Sequence, residues 1–317
     1  MMGKVGKKLT VSLGIMLLFF LSFQWVAEEG RAAAFADEDQ SFVKEEMKWR
    51  EERDKQMRSS TSWLTIAGLF WLEKGENSFG IDSSNKIKLP EGSAPPVAGT
   101  FVLKGGTVKV VAHEGVALKV EGKNIKEKVL RGDEVYPEEP DVVELGDLRM
   151  WVIRRGERSA IRLRDLHAAA YKNYKGLDFF PPSAKFKIEA VFVPFPTAKT
   201  VTVATVIGTE EEMKSPGYVK FMIDGKKFRL DAFAEDAQSK QLFFIFKDET
   251  NGAETYGAGR FMTSNVLEDG KVDLNFNRAY NPPCAYTPYA TCPLAPEQNW
   301  LKIRIEAGER QYKGGHH

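Results

Sequence analysis

The side chains best able to do chemistry gather in the last fifth of the chain. The stretch "ETYGAGRF" sets Glu254, Tyr256 and Arg260 around two glycines. Glycine lets the backbone turn tightly or approach a ligand closely, so a short loop of this kind can bring a carboxylate, a phenol and a guanidinium together. It is not a dinucleotide fingerprint, because the third glycine and the strand-then-helix setting are missing. "LNFNRAYNPP" follows, with Asn275, Asn277, Arg278, Tyr280 and Asn281. Read as a strand of period two, it puts Asn275 and Asn277 on one face and Leu274, Phe276 and Arg278 on the other. Two inward amides need partners, since an unpaired buried amide costs about 1–3 kcal/mol. Glu254 and Arg260 could supply those partners, and so could a ligand.

The candidate binding set is therefore Glu254, Tyr256, Arg260, Asn275, Asn277, Arg278 and Asn281. An arginine among amides suits a small anionic or polyhydroxyl molecule, such as a carboxylate or a sugar. Two other readings stay open. The same residues could pin a long loop by side-chain-to-backbone hydrogen bonds and do no chemistry, as in a purely structural envelope protein. Or Glu254 and Arg260 could serve a hydrolase or transferase. No catalytic residue is assigned, and no metal or cofactor is expected.

The only cysteines, Cys284 and Cys292, lie in "NFNRAYNPPCAYTPYATCPLAP". In an oxidising compartment the simplest reading is a disulfide that closes a short loop. Zinc is disfavoured because no third or fourth Cys or His ligand is near. A nucleophilic cysteine would need a base, and His113 and His167 lie far away in the sequence. A redox pair is disfavoured because tuned pairs usually stand two residues apart at a helix start. No G-x-S-x-G elbow supports a serine hydrolase. The basic run "RRGERSAIRLR", Arg154 to Arg164, is interrupted by Glu157, and its alternation fits solvated strand faces better than an anion site.

The rest of the chain must position these residues. It has 317 residues, 28% charged and 43% apolar, with a formal net charge of +1. Nothing in that balance argues for nucleic acid or an anionic membrane surface. At the N-terminus, Lys4, Lys7 and Lys8 precede the apolar run Leu9 to Ala27, and Ala34-Phe35-Ala36 offers small residues for cleavage. This reads as an export signal over residues 1–36, with an uncleaved anchor as the alternative. The body is expected to be periplasmic or extracellular, with membrane attachment only through that segment.

Residues 37–60 are charged, with an apolar stripe of Phe42, Val43, Met47 and Trp49, and predict one amphipathic helix. Residues 61–168 predict an antiparallel β-sandwich, with hairpin turns at Gly105-Gly106, Gly122-Lys123 and Gly146-Asp147. Residues 169–186 break the rhythm and read as a connector. Residues 187–312 predict a second antiparallel unit, barrel or sandwich, with a turn at Asp224-Gly225 and a last strand in "WLKIRIEAG". Residues 313–317 are expected to be a disordered tail.

Three stretches together resemble a known family: "SWLTIAGLFWLEKGENSFGIDSSNKIKLP", "ETYGAGRF" and "DLNFNRAYNPPCAYTPYATCPLAPEQNWLKIRIEAGE". They resemble the bacterial family known as domain of unknown function 1684, from about Trp49 to Tyr312. The resemblance implies an architecture and a region of interest but no reaction. The first β unit also resembles a forkhead-associated domain, through "FGIDSSNKIKLP" and "VEGKNIKEKVLRGDEVYP…VVELGDLRMWVI". Such domains are sandwiches that bind phosphothreonine through an arginine, a serine and an asparagine. Here Ile81 follows Gly80 where the arginine would stand, "APPVAGT" lacks the serine and histidine, and Glu121 replaces the asparagine. The sandwich is expected without phosphopeptide binding, because the charge-assisted contact is lost.

Overall fold

A computed structural model describes residues 40–135, 137–236 and 239–314. The expected export signal and residues 315–317 of the expected tail lie outside the described residues. Among the described residues, no helix is long and apolar enough to cross a membrane. Helix α1 covers residues 40–57, inside the helix expected over 37–60.

Among the described residues the β-sandwich holds eleven strands. They are β1 (Ile66–Trp71), β2 (Gly75–Gly80), β3 (Ile87–Lys88), β4 (Gly99–Lys104), β5 (Thr107–Ala112), β6 (Leu118–Val120), β7 (Lys123–Ile125), β8 (Glu127–Leu130), β9 (Val143–Leu145), β10 (Leu148–Arg155) and β11 (Arg158–Asp165). One sheet runs β1-β11-β10-β9-β6-β7 and the other β3-β2-β4-β5-β8. Phe79, Phe101 and Val110 from the second sheet meet Leu118, Met150 and Ile161 from the first in one core. Inward and outward residues alternate along most strands, as half-buried strands require. The turns at Gly105-Gly106 and Gly146-Asp147 fall where the sequence puts them, and the next lies at Glu121-Gly122, one residue earlier than expected.

A short helix α2 (Ala169–Lys172) and an irregular segment lead to the second unit. Its strands are β12 (Lys187–Ala204), β13 (Glu210–Ile223), β14 (Lys226–Ala232), β15 (Gln241–Phe246), β16 (Arg260–Asn265) and β17 (Lys271–Asn275). Four form a sheet in the order β14-β13-β12-β17, and β15 pairs with β16. Single bridges, Phe233 to Phe243 and Val266 to Val272, link the two sheets. One bridge does not continue a ladder, so no closed barrel forms among the described residues. Phe221, Phe244, Phe246, Leu274 and Phe276 fill the space between the sheets.

Asp224 and Gly225 both take positive φ, +50° and +74°, which is the backbone a tight β13–β14 hairpin demands. Two expected strands differ. The strand through Asn277 stops at Asn275, and residues Phe276–Arg278 make a 3₁₀ turn. Asn275 ends the strand by accepting the backbone N–H of Asn277 at 3.1 Å, the local competition expected of asparagine. "WLKIRIEAG" forms no strand. Its Trp300 makes one bridge to Lys247, and Glu249 N–H donates to the Ile303 carbonyl at 3.0 Å.

Candidate functional site

Arg260, first residue of β16, is fully buried at 0% exposure. Its Nη2 donates to Asp248 Oδ2 at 2.6 Å and to the Ile305 carbonyl at 3.0 Å, and its Nη1 donates to the Ala307 carbonyl. The guanidinium lies over the Phe246 ring, 5.3 Å from its centre. Both carboxylate oxygens of Asp248 are likewise taken up inside the protein. Its Oδ1 accepts from Thr250 N at 2.8 Å, Thr250 Oγ1 at 2.6 Å and Ile305 N at 3.2 Å. Asn251 ties the loop further, donating to the Tyr256 carbonyl at 2.7 Å. Gly259 makes this packing feasible: at φ +109°, a Cβ there would stand 2.6 Å from the Phe246 carbonyl oxygen. Arg260 thus fastens the β15–β16 loop to the C-terminal segment and has no face open to a ligand.

The asparagines behave in the same way. Asn277 is buried, accepts the Ser183 N–H at 2.9 Å and donates to the Ser183 carbonyl at 2.9 Å. Asn281 donates its N–H to Glu309 Oε2 at 2.7 Å and its amide to the Arg310 carbonyl at 2.8 Å. Glu309, fully buried, also accepts from Arg53 Nε at 2.8 Å and from the Tyr286 hydroxyl at 2.8 Å. Burial works against the Arg53 charge, but Glu309 and the neighbouring tyrosines override it and hold its pKa above the usual arginine value. Burial, then the charge of Glu309, lifts the Tyr286 phenol well above its ordinary range. Arg278, next to Asn277 in the sequence, is half-buried.

Glu254 and Tyr256 sit farther out. Glu254 pairs with Arg304, which also reaches Glu306 at 2.9 Å. The Tyr256 hydroxyl donates to the Cys284 carbonyl at 3.1 Å, and burial is the chief reason its phenol is pushed up. The expected disulfide is not formed. Cys284 and Cys292 are free thiols, with the Cys284 N–H donating to Cys292 Sγ at 3.2 Å.

The candidate residues therefore do not converge on one pocket. They do frame one. A groove of about 720 Å³ opens between Phe180–Phe186, the β13–β14 turn and residues Lys302–Glu306. Ser183, held at both backbone groups by Asn277, lies in its wall. Arg304, held by Glu254, lies in the opposite wall. Lys185 is paired with Asp224 at 2.8 Å across the rim. Lys226 and Lys302, also lining it, make no ion pair among the described residues. Sequence reasoning missed both lysines, because single exposed lysines carry no motif. The signal that existed was indirect, in the Asn277 and Glu254 that brace the groove.

Sequence reasoning also missed Arg162. It stands on β11 with 5% exposure, its guanidinium 5.1 Å from the centre of the Trp63 ring. Its Nε and Nη2 have no hydrogen-bond partner among the described residues. Burial, then the nearby charge of Arg155, pulls its pKa down to about 10. The cysteine loop covers this face: Arg155 Nε donates to Thr291 Oγ1 at 3.0 Å, and Trp63 packs against the apolar cluster that holds Cys292.

The chain is similar to several known proteins. Residues 172–310 match the family model described as "Protein of unknown function (DUF1684)". An uncharacterized protein from Haloarcula marismortui, solved in solution by NMR, is 33% identical over 44% of this chain and 78% of its own, with a TM-score of 0.38. An FHA domain studied for its phosphothreonine-dependent interactions is 17% identical over 30% of this chain and 92% of its own, with a TM-score of 0.22. The FHA domain of FhaA is 17% identical over 30% of this chain and 97% of its own, also at a TM-score of 0.22. No curated protein matches the chain.

Proposed function

We propose that this chain, which belongs to the DUF1684 family of proteins of unknown function, is an exported, non-enzymatic binding protein whose site is the braced groove between Phe180–Phe186 and Lys302–Glu306. Its ligand is a small anionic or polyhydroxyl molecule, a sugar acid or a carboxylate. One observation carries the reading: Lys226 and Lys302 line the groove without an acidic partner among the described residues, Lys302 reaching over the Trp300 ring at 5.8 Å, while Lys185 and Arg304, the other cations lining it, are paired. A partly unpaired cationic rim favours an anion, and the acids Glu249 and Glu306 offer acceptors for hydroxyl groups. The pinned walls support binding without rearrangement, since a preformed site loses less ordering entropy.

Export rests on the N-terminal pattern of lysines, apolar run and small residues. The hydrolase or transferase alternative draws no support from Arg260, because all its contacts are made inside the protein.

Thermal shift against a panel of citrate, glucuronate, galacturonate and glucose 6-phosphate tests the reading. At least one raises the melting temperature of the wild type, and the Lys226→Ala/Lys302→Ala variant loses that rise. A panel that shifts neither protein, or shifts both equally, overturns it.

A further inference from the structure

The cysteine loop holds a second arrangement that the groove does not use. The Cys284 N–H reaches Cys292 Sγ at 3.2 Å, so the two residues lie side by side. They differ in access: Cys284 is half-buried and Cys292 is 5% exposed. A small reagent meets Cys284 first. Tyr256 stands beside Cys284, its hydroxyl bonded to the Cys284 carbonyl at 3.1 Å. Arg162 lies over the Trp63 ring, which packs against the apolar cluster holding Cys292, and two nitrogens of its buried guanidinium have no hydrogen-bond partner among the described residues. A desolvated cation favours ionisation of a nearby thiol.

We propose that Cys284 and Cys292 are a dithiol that exchanges with small disulfides, Cys284 attacking and Cys292 resolving, beside the buried guanidinium of Arg162. The Cys284 thiolate attacks one sulfur of the small disulfide. That S–S bond breaks, one small thiolate leaves and takes a proton, and Cys284 is held as a mixed disulfide. Cys292 then gives its proton to solvent and its thiolate attacks Cys284 Sγ. The second small thiol leaves. The protein dithiol is oxidised to a disulfide, and the small disulfide is reduced to two thiols.

The electrostatics follow the same order. The hydrogen bond from Cys292 draws the Cys284 thiol below its ordinary value, burial opposes this, and Tyr256 adds to the lowering. Cys292 is pushed up, first by its bond to Cys284, then by burial and by the charge of Cys284, while Arg162 pulls it down. When Cys284 is tied in a mixed disulfide its charge is gone, and Arg162 remains to favour the second thiolate. The spacing of the pair disfavours redox chemistry only where a helix start must activate the thiol. Here a tyrosine, the partner thiol and an arginine take that part.

Oxidised glutathione and the reduced full chain, followed by mass spectrometry, test the proposal. The wild type gains an internal disulfide and keeps no adduct. Cys292→Ser accumulates one glutathione on Cys284, and Cys284→Ser gains its adduct on the order of tenfold more slowly, as the difference in access requires. In the Cys284→Ser background, Arg162→Gln moves the pH profile of Cys292 alkylation upward, and Arg162→Lys restores it. Equal adduct rates in the two serine variants overturn the proposal. So does a native disulfide that opens to reductant only after denaturation. Should a variant fail to fold, limited iodoacetamide labelling of the wild type decides: Cys284 labels first, and Cys292 labelling first contradicts the assignment.

Discussion

Arg260 and Arg162 invite comparison. Each is a buried arginine on a strand, and each lies a little over 5 Å from the centre of an aromatic ring, Phe246 and Trp63 respectively. Arg260 meets a carboxylate and two carbonyls. Arg162 leaves two nitrogens unmatched and is pulled down to about 10 by burial. The difference separates structure from function in this molecule. Arg260 leaves only its Nε without a partner among the described residues, and its carboxylate and carbonyl contacts hold the fold; Arg162, short of two partners, is a cost the fold retains. The groove repeats the contrast, with Lys185 and Arg304 paired and Lys226 and Lys302 not.

Substitutions can break this contrast. The largest effect is expected at Arg260→Ala, which strands the buried Asp248 without its cation and frees the loop it holds. The expected loss is about 3–5 kcal/mol in urea unfolding. A loss below 1 kcal/mol, the size of an exposed pair, would remove Arg260 from the frame. Asn277→Ala comes next. It orphans both backbone groups of Ser183 and should cost about 1–3 kcal/mol, together with any ligand-induced stabilisation. Arg162→Met should have the smallest effect on stability, and of opposite sign: neutral to about 2 kcal/mol more stable, since a buried charge with two unmatched nitrogens gives way to apolar packing. The sign also predicts a pH effect. A cation whose pKa is lower in the folded state costs stability while it is charged, and the cost is relieved as pH rises through about 10. The advantage of Arg162→Met should therefore shrink toward alkaline pH.

Local features of the fold were legible because local rules decide them. Gly105-Gly106, Gly146-Asp147 and Asp224-Gly225 form turns since glycine and aspartate tolerate positive φ. The period-two pattern gave the strands of the sandwich. Both asparagines are buried as expected, but the strand stops at Asn275 and not at Asn277, because the Asn275 side chain can end a strand by accepting the Asn277 N–H. Partners far apart in sequence were not legible. Asp248 lies 12 residues from Arg260, Ile305 lies 45 away, and Ser183 lies 94 from Asn277. The basic run "RRGERSAIRLR" was read as solvated strand faces, yet β11 within it is buried on both faces over Ser159–Leu163, where the cysteine loop reaches the neighbouring Arg155. None of the candidate residues lines the groove; Asn277 and Glu254 brace it through Ser183 and Arg304.

The central claim is that Arg260 holds the fold while Lys302 meets the ligand. Isothermal titration with whichever anion of the panel stabilises the wild type tests it directly, on Arg260→Lys and Lys302→Ala side by side. The prediction is that Arg260→Lys, where folded, binds as the wild type does, and that Lys302→Ala loses affinity on the order of tenfold, the loss of one charge-assisted contact. Full affinity in Lys302→Ala with lost affinity in a folded Arg260→Lys would contradict it.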